Sequence, residues 1–289
     1  MLGNAKFLTA LAVLGLAFAA APGAAKADMW DQQRNASDTL SQGGSTAWTN
    51  IKDQLFGDKK IADGNDVIKL EAPPRVTDAA FIPITISAEK KPTPDDYIKT
   101  IYLIIDENPS PVAAVFHLKP DNAVADISTR VRIDSFTMVR AVAEDNKGNV
   151  FMDKTFLRAA GGCSAPSLSD SADARARLGK MKLNFIKAAS SGELGEAQIL
   201  VSHPNYTGFQ FDQVARREIP AEFINSVEIT YGGETVLNAE TGNSISENPS
   251  FFFQYQDTGA DEMKAVIKDT EGRVFEQSFP VERAGDGKS

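Results

Sequence analysis

The chain has 289 residues, with 39 acidic against 30 basic side chains, a formal charge of −9, 42% hydrophobic residues and a single cysteine. A net anion repels polyanions, so nucleic acid and anionic membrane surfaces are excluded as partners, and basic proteins fit better. One cysteine excludes an internal disulfide and leaves a thiol that pairs between molecules, reacts, or is buried and inert.

Residues 1–27 read as a signal peptide. Lys6 opens it, the apolar stretch FLTALAVLGLAFAAA is short for a membrane span, and Ala25-Lys26-Ala27 gives the small-x-small cleavage pattern. Cleavage before Asp28 leaves about 260 residues with a charge of −11, since Lys6 and Lys26 depart. The expectation is an exported, periplasmic protein with no membrane attachment after cleavage. Asp28 is not a cysteine, which excludes a lipoprotein.

Residues 28–44 are a polar lead-in. The stretch STAWTNIKDQLFG then places Ala47, Trp48, Ile51, Leu55 and Phe56 on one helical face, with Ser45 or Thr46 as cap and Gly57 as stop. From Val67 the apolar period changes to two. VIKLEAP, AAFIPITISAE, IKTIYLIIDE, PVAAVFHLK, DISTRVRID, TMVRAVAED and NVFMDKTFL are short β-branched and aromatic runs between turn residues, the pattern of a β-sandwich. Residues 180–283 repeat it with KMKLNFIKA, GEAQILVSH, NSVEITYGGE, ETVLNAE, SFFFQYQD, MKAVIKDT and GRVFEQSFPV. RAVAEDNKGNVF (140–151) aligns without a gap to KAVIKDTEGRVF (264–275), which argues for two related sandwiches.

The predicted fold is all-β: a signal peptide over 1–27, a helix plus sandwich over 28–158, an arm and linker over 159–178, and a second sandwich over 179–289. The stretch 159–178, rich in Ala, Ser, Asp and Gly, has too little apolar surface to offset its ordering entropy and reads as a flexible interdomain arm. Cys163 lies on it.

Enzyme signatures are missing: there is no Gly-rich phosphate loop, no Gly-x-Ser-x-Gly elbow and no CxxCH. His117, in an alternating strand, reads as a hydrogen-bonded structural residue; His203, before Pro204, as a turn residue. Neither has clustered partners, so no metal is expected. Asp95-Asp96, Asp106-Glu107 and Asp261-Glu262 read as solvated turn charges. Asn35-Ala36-Ser37 and Asn205-Tyr206-Thr207 fit a glycosylation pattern that is common by chance.

Cys163 remains. Gly161-Gly162 before it and Ser164-Ala165-Pro166 after it give no apolar neighbours to bury it, so an exposed, functional thiol is expected. The glycines free the backbone, and an extended chain covers at most ~3.3–3.6 Å per residue, so a short arm carries the sulfur well away from the surface. That geometry suits a carrier whose thiol visits other proteins' active sites.

These residues resemble a known pair of families. LFGDKKIADGNDVIKLEAP, FIPITIS, YIKTIYLIIDENPSPVAAVFHL, ISTRVRIDSFTMVRAVAEDNKG and the terminal GGC, within residues 44–163, resemble the SoxY sulfur-carrier subunit. ILVSHPNYTGFQFDQVARREIPAEFINSVEITYGGETVLNAE, SISENPSFFFQY and KAVIKDTEG, within 181–283, resemble its partner SoxZ. The resemblance implies two immunoglobulin-like sandwiches packed on each other, and a periplasmic carrier holding sulfur intermediates as a covalent adduct on Cys163. It also implies Gly161, Gly162 and Ser164 as carrier-arm residues, no catalytic residue, and no cofactor beyond that adduct. Partners would be periplasmic sulfur-oxidising enzymes. Fused carriers of this kind are also associated with quinoprotein alcohol dehydrogenase systems, so quinoprotein or cytochrome-type redox enzymes are equally implied. One departure is plain: the family's arm ends Gly-Gly-Cys-Gly-Gly at a free terminus, whereas here Ser164-Ala165-Pro166 lead into the next domain and tether the arm at both ends. The other reading is an adaptor or scaffold that binds a redox enzyme through its sandwich surfaces.

Overall fold

Alternating burial is written into most strands of the computed structural model, which describes residues 45–281 except 65, 121–125, 168–170 and 190–193. The expected signal peptide, the polar lead-in before Ser45 and Asn35 lie outside the described residues. Helix α1 (Thr46–Phe56) precedes β1 (Ile61–Asp63), β2 (Ile68–Glu71), β3 (Ile82–Ala88), β4 (Ile98–Ile105), β5 (Val112–His117), β6 (Asp126–Val131), β7 (Thr137–Asp145) and β8 (Val150–Leu157). The second half holds α2 (Ser171–Ala176), β9 (Met181–Lys187), β10 (Gly195–Val201), β11 (Phe211–Asp212), β12 (Arg217–Glu218), β13 (Ile224–Tyr231), β14 (Glu234–Thr241), β15 (Ser250–Tyr255), β16 (Glu262–Asp269) and β17 (Val274–Pro280).

The halves do more than pack: they share the two large sheets, while β11 and β12 form a small third one in the second half. One sheet runs β1-β8-β7-β4-β5-β14-β13-β16-β17 and the other β2-β3-β6-β15-β10-β9. Reading outward from the β5–β14 junction, β5-β4-β7-β8 mirrors β14-β13-β16-β17, and β6-β3-β2 mirrors β15-β10-β9, as two related sandwiches joined about a pseudo-twofold would. Ala239, Glu240 and Thr241 of β14 pair with Phe116, Val115 and Ala114 of β5, while Phe252 of β15 pairs with Ser128 of β6. Joining edges in this way satisfies two rows of backbone groups that would otherwise invite aggregation. A single buried cluster crosses the seam, from Ile84, Ile101 and Phe116 to Ile229, Phe251 and Phe253.

The aligned motif is a hairpin closed identically in each half. Asp145 Oδ1 accepts from the backbone N–H groups of Lys147 and Asn149, and Asp269 Oδ1 from those of Glu271 and Arg273. The two copies then diverge by what covers them. In β7 nearly every residue is buried, because α1 lies over its outer face. Ser45 caps that helix, its Oγ accepting from Trp48 N–H at 3.1 Å, and Ile51 and Phe56 pack on Ile104, Val142 and Val150. Leu55, expected on the buried face, is instead 38% exposed. Arg140, buried beneath α1, forms a bidentate pair with Asp106 at 2.7–3.0 Å and lies 4.2 Å from the centre of the Trp48 ring. Its aligned counterpart Lys264, with no helix above it among the described residues, pairs with Glu276 at the surface.

Candidate functional site

After β8 the chain turns along the seam between the halves, and the two glycines of the arm have different reasons to be glycine. Gly161 adopts φ 79°, the left-handed region. Gly162 passes so close to its neighbours that an added Cβ would lie 2.0 Å from the Ala79 carbonyl oxygen and 2.7 Å from that of Ile133. Their N–H groups donate to the carbonyls of Asp134 and Ile133, both at 2.8 Å, and Ser164 Oγ donates back to Gly161 O at 3.3 Å.

The second half holds the arm from the other side. Thr207 Oγ1 donates to Cys163 O at 2.6 Å, Gln210 Nε2 to Ala165 O at 2.8 Å, and Ser167 Oγ to Glu247 Oε2 at 2.6 Å. Thr207 is itself fixed, its N–H donating to Gln210 Oε1 and its carbonyl accepting from Asn243 Nδ2.

The expectation of an exposed thiol is therefore corrected: Cys163 is only 3% exposed. The local sequence gives no sign of this burial; the shelter is built by backbone contacts from elsewhere in the chain, with the Ala79 and Ile133 backbone against Gly162 on one side and Thr207 bonded to the Cys163 carbonyl on the other. Burial, reinforced by the Asp134 carboxylate and only partly opposed by Arg132, pushes the thiol up to about 12. A docked Cys163 is thus a neutral, unreactive thiol at physiological pH.

Arg132 is the residue that sequence reasoning missed. It is 0% exposed, its backbone N–H donates to Ser244 O, and its Nη1 donates to Gly162 O at 3.3 Å. Its Nε and Nη2 have no hydrogen-bond partner, and the nearest carboxylate oxygen, Glu247 Oε2, is 4.0 Å from Nη2. The signal was present in STRVRID: Arg130 and Arg132 are two apart in a run that reads as strand and so share a face there, although β6 itself ends at Val131. Both face the second half, where Arg130 Nη2 donates to Asn248 O.

The remaining candidates fall elsewhere. His117 Nε2 lies 2.9 Å from Glu240 Oε1 across the β5–β14 seam, a hydrogen-bonded strand residue as expected. His203 does stand at a turn, its Nδ1 accepting from Asn205 N–H, and it is buried with Nε2 3.4 Å from Asp269 Oδ2. Asp106, expected in a solvated turn, is 1% exposed and paired with Arg140, a correction that follows from α1 lying above it. Asn205 is fully buried, which closes that glycosylation pattern in the folded chain. Among the described residues no group of three or more His, Cys, Asp and Glu side chains could hold a metal, and no helix is long and apolar enough to cross a membrane.

Two family models match in tandem: sulfur oxidation protein SoxY over residues 52–163 and sulphur oxidation protein SoxZ over residues 183–280. No match emerges among curated proteins. Among solved structures, the sulfur carrier protein SoxY from Chlorobium limicola f thiosulfatophilum is similar at 19% identity, covering 39% of this chain and 96% of its own, with a TM-score of 0.34. A superoxide reductase (neelaredoxin) from Ignicoccus hospitalis is similar at 18% identity, covering 32% of this chain and 79% of its own, with a TM-score of 0.29. The tandem models place the chain among the sulfur-oxidation carrier proteins. Within them it belongs to the SoxY and SoxZ families at once, as a SoxY–SoxZ fusion.

Proposed function

We propose that the chain is a periplasmic covalent carrier, which holds sulfur-containing intermediates on Cys163 and presents them to partner enzymes. It is acted upon and catalyses nothing itself. The observation that carries this reading is the manner of docking: the lone thiol, at the end of the SoxY match, is held through its backbone by hydrogen bonds that can open together. Docked, the thiol is neutral and shielded. Released, it would return toward its ordinary value of 9.0 from about 12, which raises the thiolate fraction about a thousandfold. Loading and unloading then belong to the released arm, storage to the docked one. The arm is tethered at both ends, so the partner must accept a loop. Periplasmic sulfur-oxidising enzymes and quinoprotein or cytochrome-type redox enzymes are the proposed partners.

The test is the intact mass of protein taken from the native source without reductant, with peptide mapping across residues 159–179. Increments of sulfur, or of sulfur plus oxygen, on Cys163 that a reductant removes are expected. A bare thiol under every growth condition would overturn the reading. The burial of Cys163 favours one competitor, an adaptor whose thiol is idle packing and whose sandwich surfaces bind a redox enzyme. Under that reading Cys163→Ser keeps activity; under the carrier reading it abolishes activity.

A further inference from the structure

We infer that Arg132 is the docking residue of the loaded arm, a buried site for the anionic, oxygen-terminated end of an adduct on Cys163. The inference rests on the carrier reading. It begins from an anomaly: a wholly buried guanidinium whose Nε and Nη2 hold no hydrogen bond. Buried polar groups are almost always paired, so an orphaned one asks for a missing partner. Among the described residues the seam offers it a loose ion pair with Glu247 and no hydrogen bond. Glu247 Oε2 stays 4.0 Å away and accepts from Ser167 Oγ, and Asp78, which also acts electrostatically on Arg132, has its Oδ1 taken by Ala80 N–H.

The arm itself brings the guanidinium to the cargo position. Nη1 donates to Gly162 O, one peptide before Cys163, and the same guanidinium interacts electrostatically with the thiol. A neutral thiol is a weak acceptor and leaves Nε and Nη2 without a hydrogen bond. A sulfonate end offers three oxygens and a full negative charge to a planar fork shaped for oxyanions. The docked arm is therefore selective: it holds oxidised, anionic cargo more tightly than the bare thiol or a neutral adduct.

The experiment uses the full mature chain loaded in two ways. With tetrathionate, the released thiol gives its proton to solvent and attacks a central sulfur; a new S–S bond forms, thiosulfate leaves with the bonding pair, and Cys163 carries a sulfonate-ended chain. With methyl methanethiosulfonate, methanesulfinate leaves and Cys163 carries a neutral methyl disulfide. Hydrogen exchange at Gly161 and Gly162 reads docking, because their N–H groups are paired with Asp134 O and Ile133 O only in the docked arm. Exchange at least about tenfold slower for the sulfonate-ended adduct is expected, with the difference lost in Arg132→Met. Arg132→Lys, which keeps the charge and loses the fork, should retain part of it and serves if the methionine variant fails to fold. Equal exchange for the two adducts, faster exchange for the sulfonate-ended one, or a difference that persists without Arg132 overturns the proposal. A chain found loaded in its native source but showing no Arg132-dependent difference loses this site and keeps the carrier reading.

Discussion

Gly162 is the residue on which docking turns, and its substitution separates release of the arm from damage to the thiol. A methyl group there meets two backbone carbonyls that cannot rotate away. Overpacking of this kind costs about 1–3 kcal/mol, so Gly162→Ala should shift the arm toward the released state by ~5–150-fold and accelerate alkylation of Cys163 to match. The pH profile of that alkylation gives a second reading. The docked state favours the neutral thiol, so docking is fully present below about 9 and is lost as pH rises toward about 12. The wild-type rate should keep climbing above pH 9, while that of Gly162→Ala levels off near it; coincident profiles would show that the arm is not held as described. His203 works in the opposite direction. Burial depresses its imidazole below the ordinary 6.5, despite the Asp269 carboxylate, so the unfolded chain takes up the proton first. Stability is therefore complete above pH 6.5 and falls as pH drops below it, by at most ~1.4 kcal/mol per pH unit. Urea denaturation at pH 5 and 7 should show that slope in the wild type and a flatter one in His203→Gln.

At the scale of elements, α1 makes the two related sandwiches differ. Its presence turns the outer face of β7 into core, and the same alignment positions that carry Arg140 and Val142 carry Lys264 and the less buried Val266, which no described helix covers. The strand runs, the helix cap at Ser45 and the shared hairpin were legible in the sequence because each rests on local periodicity or turn chemistry. The burial of Asp106 was not, since Asp-Glu after a strand reads as turn charge until a helix distant in sequence is placed over it. The site was half legible for the same reason. Cys163 and its glycines announce themselves, but their partners Arg132, Thr207 and Gln210 come from strands and loops that only the joined sheets bring together. If α1 is held down through the Trp48–Arg140–Asp106 stack, Asp106→Ala removes the bidentate carboxylate from a buried cation and should destabilise the fold by about 3–5 kcal/mol. The double variant Asp106→Leu, Arg140→Met should recover most of that loss in urea melts. A single variant within about 1 kcal/mol of wild type would show the pair to be solvated.

For the molecule as a whole, the shared sheets make the fusion a convenience of synthesis rather than the source of cohesion. β5 pairs with β14, β6 with β15, and the apolar cluster runs through the seam, so the halves resemble one core cut by a loop. The seam also builds the site: Ile133 and Arg132 belong to one half, Thr207 and Gln210 to the other, and Cys163 lies between. Separating the halves would expose the thiol as well as the edges. Two consequences can be checked together on a chain carrying an engineered protease site in the arm beyond Ser167. After cleavage the two fragments should still elute as one species at the position of the uncut chain and unfold in one transition. Tryptophan fluorescence, which comes from Trp30 and Trp48 and so from the first half, should follow the same curve as far-ultraviolet dichroism, which reports on both. With Ser167 and everything before it uncut, Cys163 should remain slow to alkylate. Fragments that separate, or two resolved transitions, would mean that the linker and not the sheets holds the halves together, and that the thiol's shelter depends on the tether.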